Sequence, residues 1–311
     1  MKLSIQTKPL EDRFGQEKTL EIIKNSGFDG IDLNLDLYAK WSETYKERNF
    51  SSFIFDRGAS EEYAYKLKDL LSKYNLSCLQ AHSPMPSYYT DEELGKMAIE
   101  AQKNSIRICG IVGCKNMTIH PYYPSPIENQ IPIEDEDRIN FEEFFPPLFA
   151  SLEENNVTAC LEDLPVGSRR GSRSFRGILT VPERAIEYVD KLNSLAGKEL
   201  FGLCCDTGHL VCTSSIPYDY IKAVGDRIKI VHIHDNRGLK DEHLIPYSGY
   251  TNWDMVCRAF HDIGYCKEEN NLSFEIFPLP AKLPEDLIQP YYNLAHAVGI
   301  TLIDKIVNEK Y

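Results

Sequence analysis

Short apolar runs rich in β-branched residues alternate along this chain with longer stretches of helical periodicity, and that alternation is the main structural signal. Lys2 to Thr7 reads as a first strand, followed by a helix around Glu17 to Ser26 that Gly27 closes as a C-cap. Gly30 to Asn34 is a second strand. A long segment rich in aromatic and charged residues then precedes a helix near Glu61 to Tyr74. Ser77 to His82, Asn116 to His120 and Thr158 to Glu162 are predicted as strands three to five. Helices about Asp91 to Val112 and Phe141 to Asn155 separate them. A helix near Pro182 to Leu195 leads to strand six, Phe201 to Asp206, and Ile228 to His234 and Leu272 to Phe277 follow as strands seven and eight. A final helix covers Leu283 to Asn308, with a break expected at Pro290.

Eight strand–helix units without consecutive hairpins predict an α/β fold, a parallel sheet closed into a (β/α)8 TIM barrel, as a single domain over residues 1–311. The rival is an open doubly wound sheet. It would place a glycine-rich phosphate turn after an early strand, and neither GxGxxG nor a Walker A sequence is present. No repeat beyond the alternation, no low-complexity tract and no linker interrupts the pattern.

Composition changes this picture little. A chain of 311 residues, 42% hydrophobic and 26% charged, is ordinary for a globular protein able to bury a full core. The net charge of −13 tilts against nucleic acid as a partner, because phosphate backbones need clustered positive charge. No signal-peptide core and no bilayer-length apolar run stands out, so no membrane partner is expected. The 9 cysteines are scattered and make neither a disulfide framework nor a CxxC zinc pair, so a reducing cytoplasm is the expected compartment.

The candidate chemistry lies where a barrel would use it, at the C-terminal ends of the strands. Strand three ends at His82, strand four at His120 and strand five at Glu162-Asp163. Strand six ends in Asp206-Thr207-Gly208-His209 and strand seven in His232-Ile233-His234-Asp235; Asp241-Glu242-His243 follows, and strand eight carries Glu275. Of the 8 histidines, only His261 and His296 fall elsewhere. One strand-end histidine is more often structural than ligating, but six among several carboxylates reverse that weighting. Like-charged carboxylates gathered out of water need a cation to offset them. Carboxylate oxygens and neutral imidazoles suit divalent zinc, manganese, cobalt or magnesium. Cys204 and Cys205 are expected to be buried as small apolar side chains rather than to ligate.

The run Glu162-Asp-Leu-Pro, the Asp206-Thr-Gly-His209 turn, His232-Ile-His-Asp-Asn with Asp241-Glu-His243, and Glu275 together resemble the xylose isomerase-like TIM-barrel superfamily. That superfamily contains sugar isomerases and epimerases, inosose dehydratases and endonuclease IV-type DNA repair enzymes. The resemblance covers nearly the whole chain, in order. It implies that Glu162, Asp206, His232 and Glu275 hold a single catalytic divalent metal, that Glu162 and Glu275 act as an acid/base pair, and that His209 contacts a substrate hydroxyl. The endonuclease IV-type members hold three zinc ions, and their ligands match His82, His120, Glu162, Asp206, His209, His232, Asp241, His243 and Glu275. One metal or up to three zinc ions are therefore both compatible with the sequence.

Substrate contacts are less defined. Gly167 to Gly177 carries Arg169, Arg170, Arg173 and Arg176, which reads either as a solvated loop or as an anion clamp, with Arg173 the candidate. Arg237 follows strand seven. Phe277-Pro-Leu-Pro280 offers few backbone donors for a phosphate. In similar sugar-active proteins the segment before Trp253 tends to read Pro-Gly-x-Gly with an acidic residue ahead of the tryptophan, and Tyr247 and Asn252 depart from that pattern. Trp253 is a substrate candidate, although a tryptophan opening helix seven is more often a packing residue. Trp41, Tyr38 and Tyr45 would form an apolar wall or a locally packed helix.

The leading expectation is a metal-dependent isomerase or epimerase of a small carbohydrate, polyol or keto-sugar. A dehydratase or other lyase would share the same first step, proton abstraction. An endonuclease IV-type phosphodiesterase is the rival from another class, and a non-catalytic metal-stabilised barrel is the least supported. A homo-oligomer paired through outer helices is compatible with such a barrel.

Overall fold

The computed structural model describes residues 1–40, 44, 46–122, 133–167 and 174–311. Eight parallel strands close into a barrel: β1 Lys2–Gln6, β2 Gly30–Asn34, β3 Ser77–His82, β4 Asn116–Thr118, β5 Thr158–Glu162, β6 Phe201–Asp206, β7 Ile228–Ile233 and β8 Asn271–Phe274. Each strand pairs with its sequence neighbours, and β1 pairs with β8 through Lys2–Asn271 to Ile5–Phe274. The outer ring holds α1 Gln16–Asn25, α2 Arg57–Tyr74, α3 Glu92–Val112, α4 Phe149–Asn155, α5 Pro182–Ala196, α6 Pro217–Val224, α7 Trp253–Asp262 and α8 Ile288–Asn308.

The period of two along each strand decides what faces where. Leu3, Ile5, Ile31, Leu33, Val231, Ile233, Leu272 and Phe274 join one large buried cluster with helix residues such as Leu20, Leu67 and Leu302. Their alternates point into the barrel, and many are polar. Ser4, Asp32, Gln80, His232, Asn271 and Ser273 are buried and hydrogen-bonded to one another across it. The apolar filling inside is the separate small cluster of Cys160, Cys204 and Ile230. All three side chains are small or slender, which leaves the upper barrel to polar groups.

Helix starts follow local chemistry. Asp56 caps α2 by accepting from the Ala59 amide, Asp91 caps α3 from Leu94, and Asn252 caps α7 from Met255. Glycines in the left-handed region close α3 (Gly113, φ 81°) and α5 (Gly197, φ 68°). Helix α8 runs unbroken past Pro290, contrary to the expected break. Pro290 lies in its first turn, where the missing N–H would lack a partner anyway. The helix expected over Phe141 to Asn155 is instead a π-turn (Ile139–Phe144), a 3-10 turn (Pro146–Leu148) and then α4. Two consecutive prolines, Pro146 and Pro147, withdraw the donors that a continuous helix needs there.

Short elements decorate the C-terminal end of the barrel: helices Lys8–Phe14 and Thr207–Cys212, and an antiparallel pair joining Val166–Gly167 to Ser174–Phe175. Among the described residues, no helix is long and apolar enough to cross a membrane. Trp41, Tyr45, Arg169, Arg170 and the substrate candidate Arg173 lie outside the described residues. Tyr38 packs locally, its ring 4.7 Å from Phe53 and 5.2 Å from Tyr63.

Candidate metal centre

The strand ends bring the predicted residues together in three adjoining groups. Within each group one ligand atom per residue lies within 4.8 Å of all the others. The groups are Glu162, Asp206, His232 and Glu275; His82, His120 and Glu162; and His209, His234, Asp241 and His243. All nine residues singled out from the sequence belong to one group or another. His234, noted with the other strand-end histidines, joins His209, Asp241 and His243.

Glu162 stands at the junction. Its Oε1 is 2.6 Å from His232 Nδ1 and its Oε2 is 2.5 Å from His120 Nε2. His82 Nε2 lies 3.9 Å from the same Oε2. Glu275 reaches His232 Nδ1 at 3.3 Å through Oε2, while its Oε1 accepts from Gln6 Nε2 at 2.7 Å. Gln6 is itself held by Asn34 Nδ2 at 3.1 Å. Asp206 ends β6 and caps the helix Thr207–Cys212 by accepting from the His209 amide at 2.8 Å. Its own amide donates to Asp163 Oδ1 at 2.7 Å, which ties the ends of β5 and β6 together. That cap aims His209 into the barrel mouth, with Nε2 3.3 Å from Asp241 Oδ2. Asp241 also meets His243 Nε2 at 2.8 Å, and His234 Nε2 lies 2.9 Å from Asp206 Oδ1.

The electrostatics are those of a site arranged around missing positive charge. Burial opposes the charge on Glu162, but His232 and His120 outweigh it and hold the carboxyl well below its ordinary range. The same contest holds Asp241 down, with His209 and His243 prevailing over burial. Burial also opposes the imidazolium of His209, yet Asp206 and Asp241 push it well above 6.5. His82 goes the other way, to about 4, through burial and repulsion from His120. Glu275 rises to about 7, chiefly through burial, with His232 and His243 only partly offsetting it.

Several buried polar atoms here have no hydrogen-bond partner: Glu275 Oε2, His120 Nδ1, His209 Nδ1 and His234 Nδ1. Such orphans are rare in protein interiors and point to a further partner. The oxygen and nitrogen donor set fits a divalent cation, which Glu162, Asp206, His232 and Glu275 could hold. A further candidate grouping substitutes Cys204 beside Glu162 and His232. Its thiol is pushed well up by burial, so it is retained as a packing group.

Of the substrate candidates, Arg237 is exposed and paired with Glu242 at 2.9 Å. Trp253 is 3% exposed, and its indole N–H donates to Asp235 Oδ2 at 3.2 Å, behind the seventh loop. Tyr247 lies 6.2 Å from it, ring to ring.

Comparison with known proteins agrees with this architecture. The chain is 23% identical over 311 residues to the uncharacterized protein y4fM of Sinorhizobium fredii, covering 95% of this chain and 91% of that one. It is 27% identical over 206 residues to the uncharacterized protein MJ1311 of Methanocaldococcus jannaschii, 64% of this chain and 65% of that one. Among solved structures, a D-tagatose 3-epimerase-like protein superposes with a TM-score of 0.72 at 19% identity, covering 100% of this chain and 99% of the other. The IOLI protein with a binding zinc atom gives 0.69 at 19% identity over the same shares. At such identities these structures speak to the fold. The profile of the xylose isomerase-like TIM barrel family matches residues 20–288, and the chain belongs to that family.

Proposed function

We propose that the chain is a divalent-metal-dependent isomerase or epimerase acting on a small carbohydrate, polyol or keto-sugar. The observation that carries this reading is the convergence of Glu162, Asp206, His232 and Glu275 at the mouth of the barrel. A bound zinc, manganese, cobalt or magnesium ion would supply the positive charge that stabilises an enediolate next to a carbonyl. In this reading Glu162 and Glu275, which reach His232 from the ends of two different strands, form the pair that takes a proton from carbon and returns it. Return of the proton to the opposite face of the same carbon inverts it, and return to the neighbouring carbon isomerises the sugar. Expulsion of a β-substituent from the same species would make the enzyme a lyase. His209, presented from the Thr207–Cys212 helix, is placed in this reading to bind a substrate hydroxyl.

The likeness to a D-tagatose 3-epimerase-like protein supports ketoses as the first substrates to try. The test is exchange of substrate C–H with solvent deuterium across a panel of ketoses and inososes. Glu275→Gln and Glu162→Gln should each lower exchange by about 10²–10⁴-fold while leaving the fold intact. Full exchange in either variant refutes the assigned acid/base role.

A second reading is kept because of one observation: the other two ligand groups are also complete. Three zinc ions with abasic-site DNA cleavage would identify an endonuclease IV-type phosphodiesterase, against the tilt of the −13 charge. Elemental analysis of untagged protein separates the two, with one metal per chain supporting the carbohydrate enzyme and two or three zincs the phosphodiesterase.

A further inference from the structure

Asp32 is fully buried in the barrel beneath the metal centre. Its Oδ2 accepts from Gln80 Nε2 at 2.9 Å and from Ser273 Oγ at 3.3 Å, and it lies 3.1 Å from His232 Nε2. The other ring nitrogen of His232, Nδ1, faces the ligand group, 2.6 Å from Glu162 Oε1, 3.3 Å from Glu275 Oε2 and 3.9 Å from Asp206 Oδ2. Asp32 and the ligand group therefore grip opposite nitrogens of one ring.

The acceptor is itself held rigidly. Gln80 receives the Asn271 amide at 3.0 Å through Oε1 and reaches the Val231 carbonyl at 3.3 Å through Nε2. Asn271 in turn donates to Ser4 Oγ at 3.2 Å. A hydrogen-bonded column thus rises from β8 and β3, through β2, to a metal ligand on β7.

An asparagine at position 32 could accept from Gln80 and Ser273 equally well without placing a carboxylate in the interior, where a charge is costly. What a carboxylate adds is a strong acceptor for an imidazole N–H. We propose that Asp32 is the positioning residue of the metal centre. It holds His232 in the tautomer with hydrogen on Nε2, so that the Nδ1 lone pair meets the cation, and it raises the basicity of that nitrogen. The proposal rests on reading the site as a metal centre.

The experiment titrates cobalt(II) and zinc into metal-stripped full-length protein, in competition with a chromophoric chelator. Asp32→Asn is expected to bind about 10–100-fold more weakly than the wild type and to change the visible cobalt spectrum. Ser273→Ala, which removes a partner of Asp32 but no bond to His232, should stay within about twofold of the wild type. Thermal unfolding of the metal-free variants separates these effects from misfolding. If Asp32→Asn does not fold, nitrogen-15 NMR of the histidine rings in zinc-loaded wild type decides, with hydrogen on His232 Nε2 expected. Wild-type affinity with an unchanged cobalt spectrum in Asp32→Asn, or hydrogen on Nδ1 in the loaded wild type, overturns the proposal and leaves the metal centre standing. A wild-type chain that takes up no divalent metal overturns both.

Discussion

Replacing Gly208 by alanine should damage the site through a single methyl group. A Cβ built at Gly208 would stand 2.0 Å from His234 Cε1, 2.3 Å from Nδ1 and 2.7 Å from Nε2. Ordinary contact needs about 3.4 Å or more, so the ring would have to withdraw by over an ångström, in an interior packed as tightly as a crystal. It has nowhere to go: His234 is fully buried, stacks on His243 at 4.2 Å and meets Asp206 at 2.9 Å. Overfilling a packed site costs about 1–3 kcal/mol, and loss of a hydrogen bond to a charged group adds about 1.5–3 kcal/mol. The helix preference of alanine over glycine returns about 1 kcal/mol. The net expectation is a loss of about 1.5–5 kcal/mol, or roughly 2–8 °C in Tm for a chain of this size. Urea unfolding with chelator present measures it. Gly58→Ala is the comparator, since its Cβ would meet nothing closer than Asp56 Oδ1 at 3.5 Å. That variant should gain about 0.5–1 kcal/mol. A Gly208→Ala protein as stable as the wild type would refute the reasoning, because the close approach of the 207–212 helix to His234 would then be absent in solution.

Three further outcomes are expected. Asp235 is fully buried and accepts from the Gly249 and Thr251 amides at 2.9 and 3.1 Å, the Thr251 hydroxyl at 2.6 Å and the Trp253 indole at 3.2 Å. Asp235→Ala should therefore cost about 3–5 kcal/mol in urea unfolding, and a loss under about 1 kcal/mol would contradict its role as the anchor of the seventh loop. Glu136 is raised from 4.5 to about 7, by burial first and Asp137 second. An acid raised on folding favours the folded state while protonated, so its contribution is present below about pH 4.5 and lost as pH climbs to 7. The full span would be about 3 kcal/mol, reduced to roughly 1–2 kcal/mol for partial solvent access. Glu136→Gln should flatten the stability profile over that window, and an unchanged slope would refute the assignment. Finally, His232 is pushed well above 6.5, burial being outweighed by Cys204, Glu275 and Glu162. Metal binding at His232 would displace that proton, so zinc calorimetry at pH 6.5 in buffers of different ionisation enthalpy should report about one or more protons released per metal, and none would count against ligation by His232.

The bounds of β2, β3, β5 and β6 were readable from the sequence to the residue. In a parallel barrel both faces of a strand are buried, so each strand is a compact run that turn-forming residues such as Gly27, Asn75, Asn156 and Gly197 set off. The clustering of the candidate residues was readable for a related reason: the C-terminal strand ends converge in space, so histidines and carboxylates that recur there meet. Two neighbours of the cluster were missed. Gln6 lies at the end of β1 and Asp32 in the middle of β2, and whether such a side chain faces inward depends on strand parity. A signal for Asp32 existed, since Ile31-Asp-Leu-Asn-Leu35 places polar residues at alternate positions of a strand with no exposed face. The helices Lys8–Phe14 and Thr207–Cys212 are too short to generate a periodic pattern, and they form through a proline in the first turn and the Asp206 cap.

In the proposed reading, the number of metals and the reaction are linked through Glu162. This carboxylate offers one oxygen to the group with Asp206, His232 and Glu275, and the other lies against His120 and His82. If only the first group were to hold a cation, the Glu162 oxygen facing His120 would keep that imidazole as its partner and could accept a proton from carbon. If His82, His120 and Glu162 were to hold a second one, Glu162 would be a weaker base, and the cations would supply chemistry suited to activating water and stabilising a charged group in transfer. His82 bears on this choice. Held at about 4 by burial and by His120, it is a neutral imidazole at physiological pH, ready either to ligate a metal or to donate a hydrogen bond to a sugar hydroxyl. In the proposed reading, metal occupancy beside His82 and His120 would therefore decide between a proton-transfer site and a hydrolytic one, and metal content per chain is the measurement that reads it.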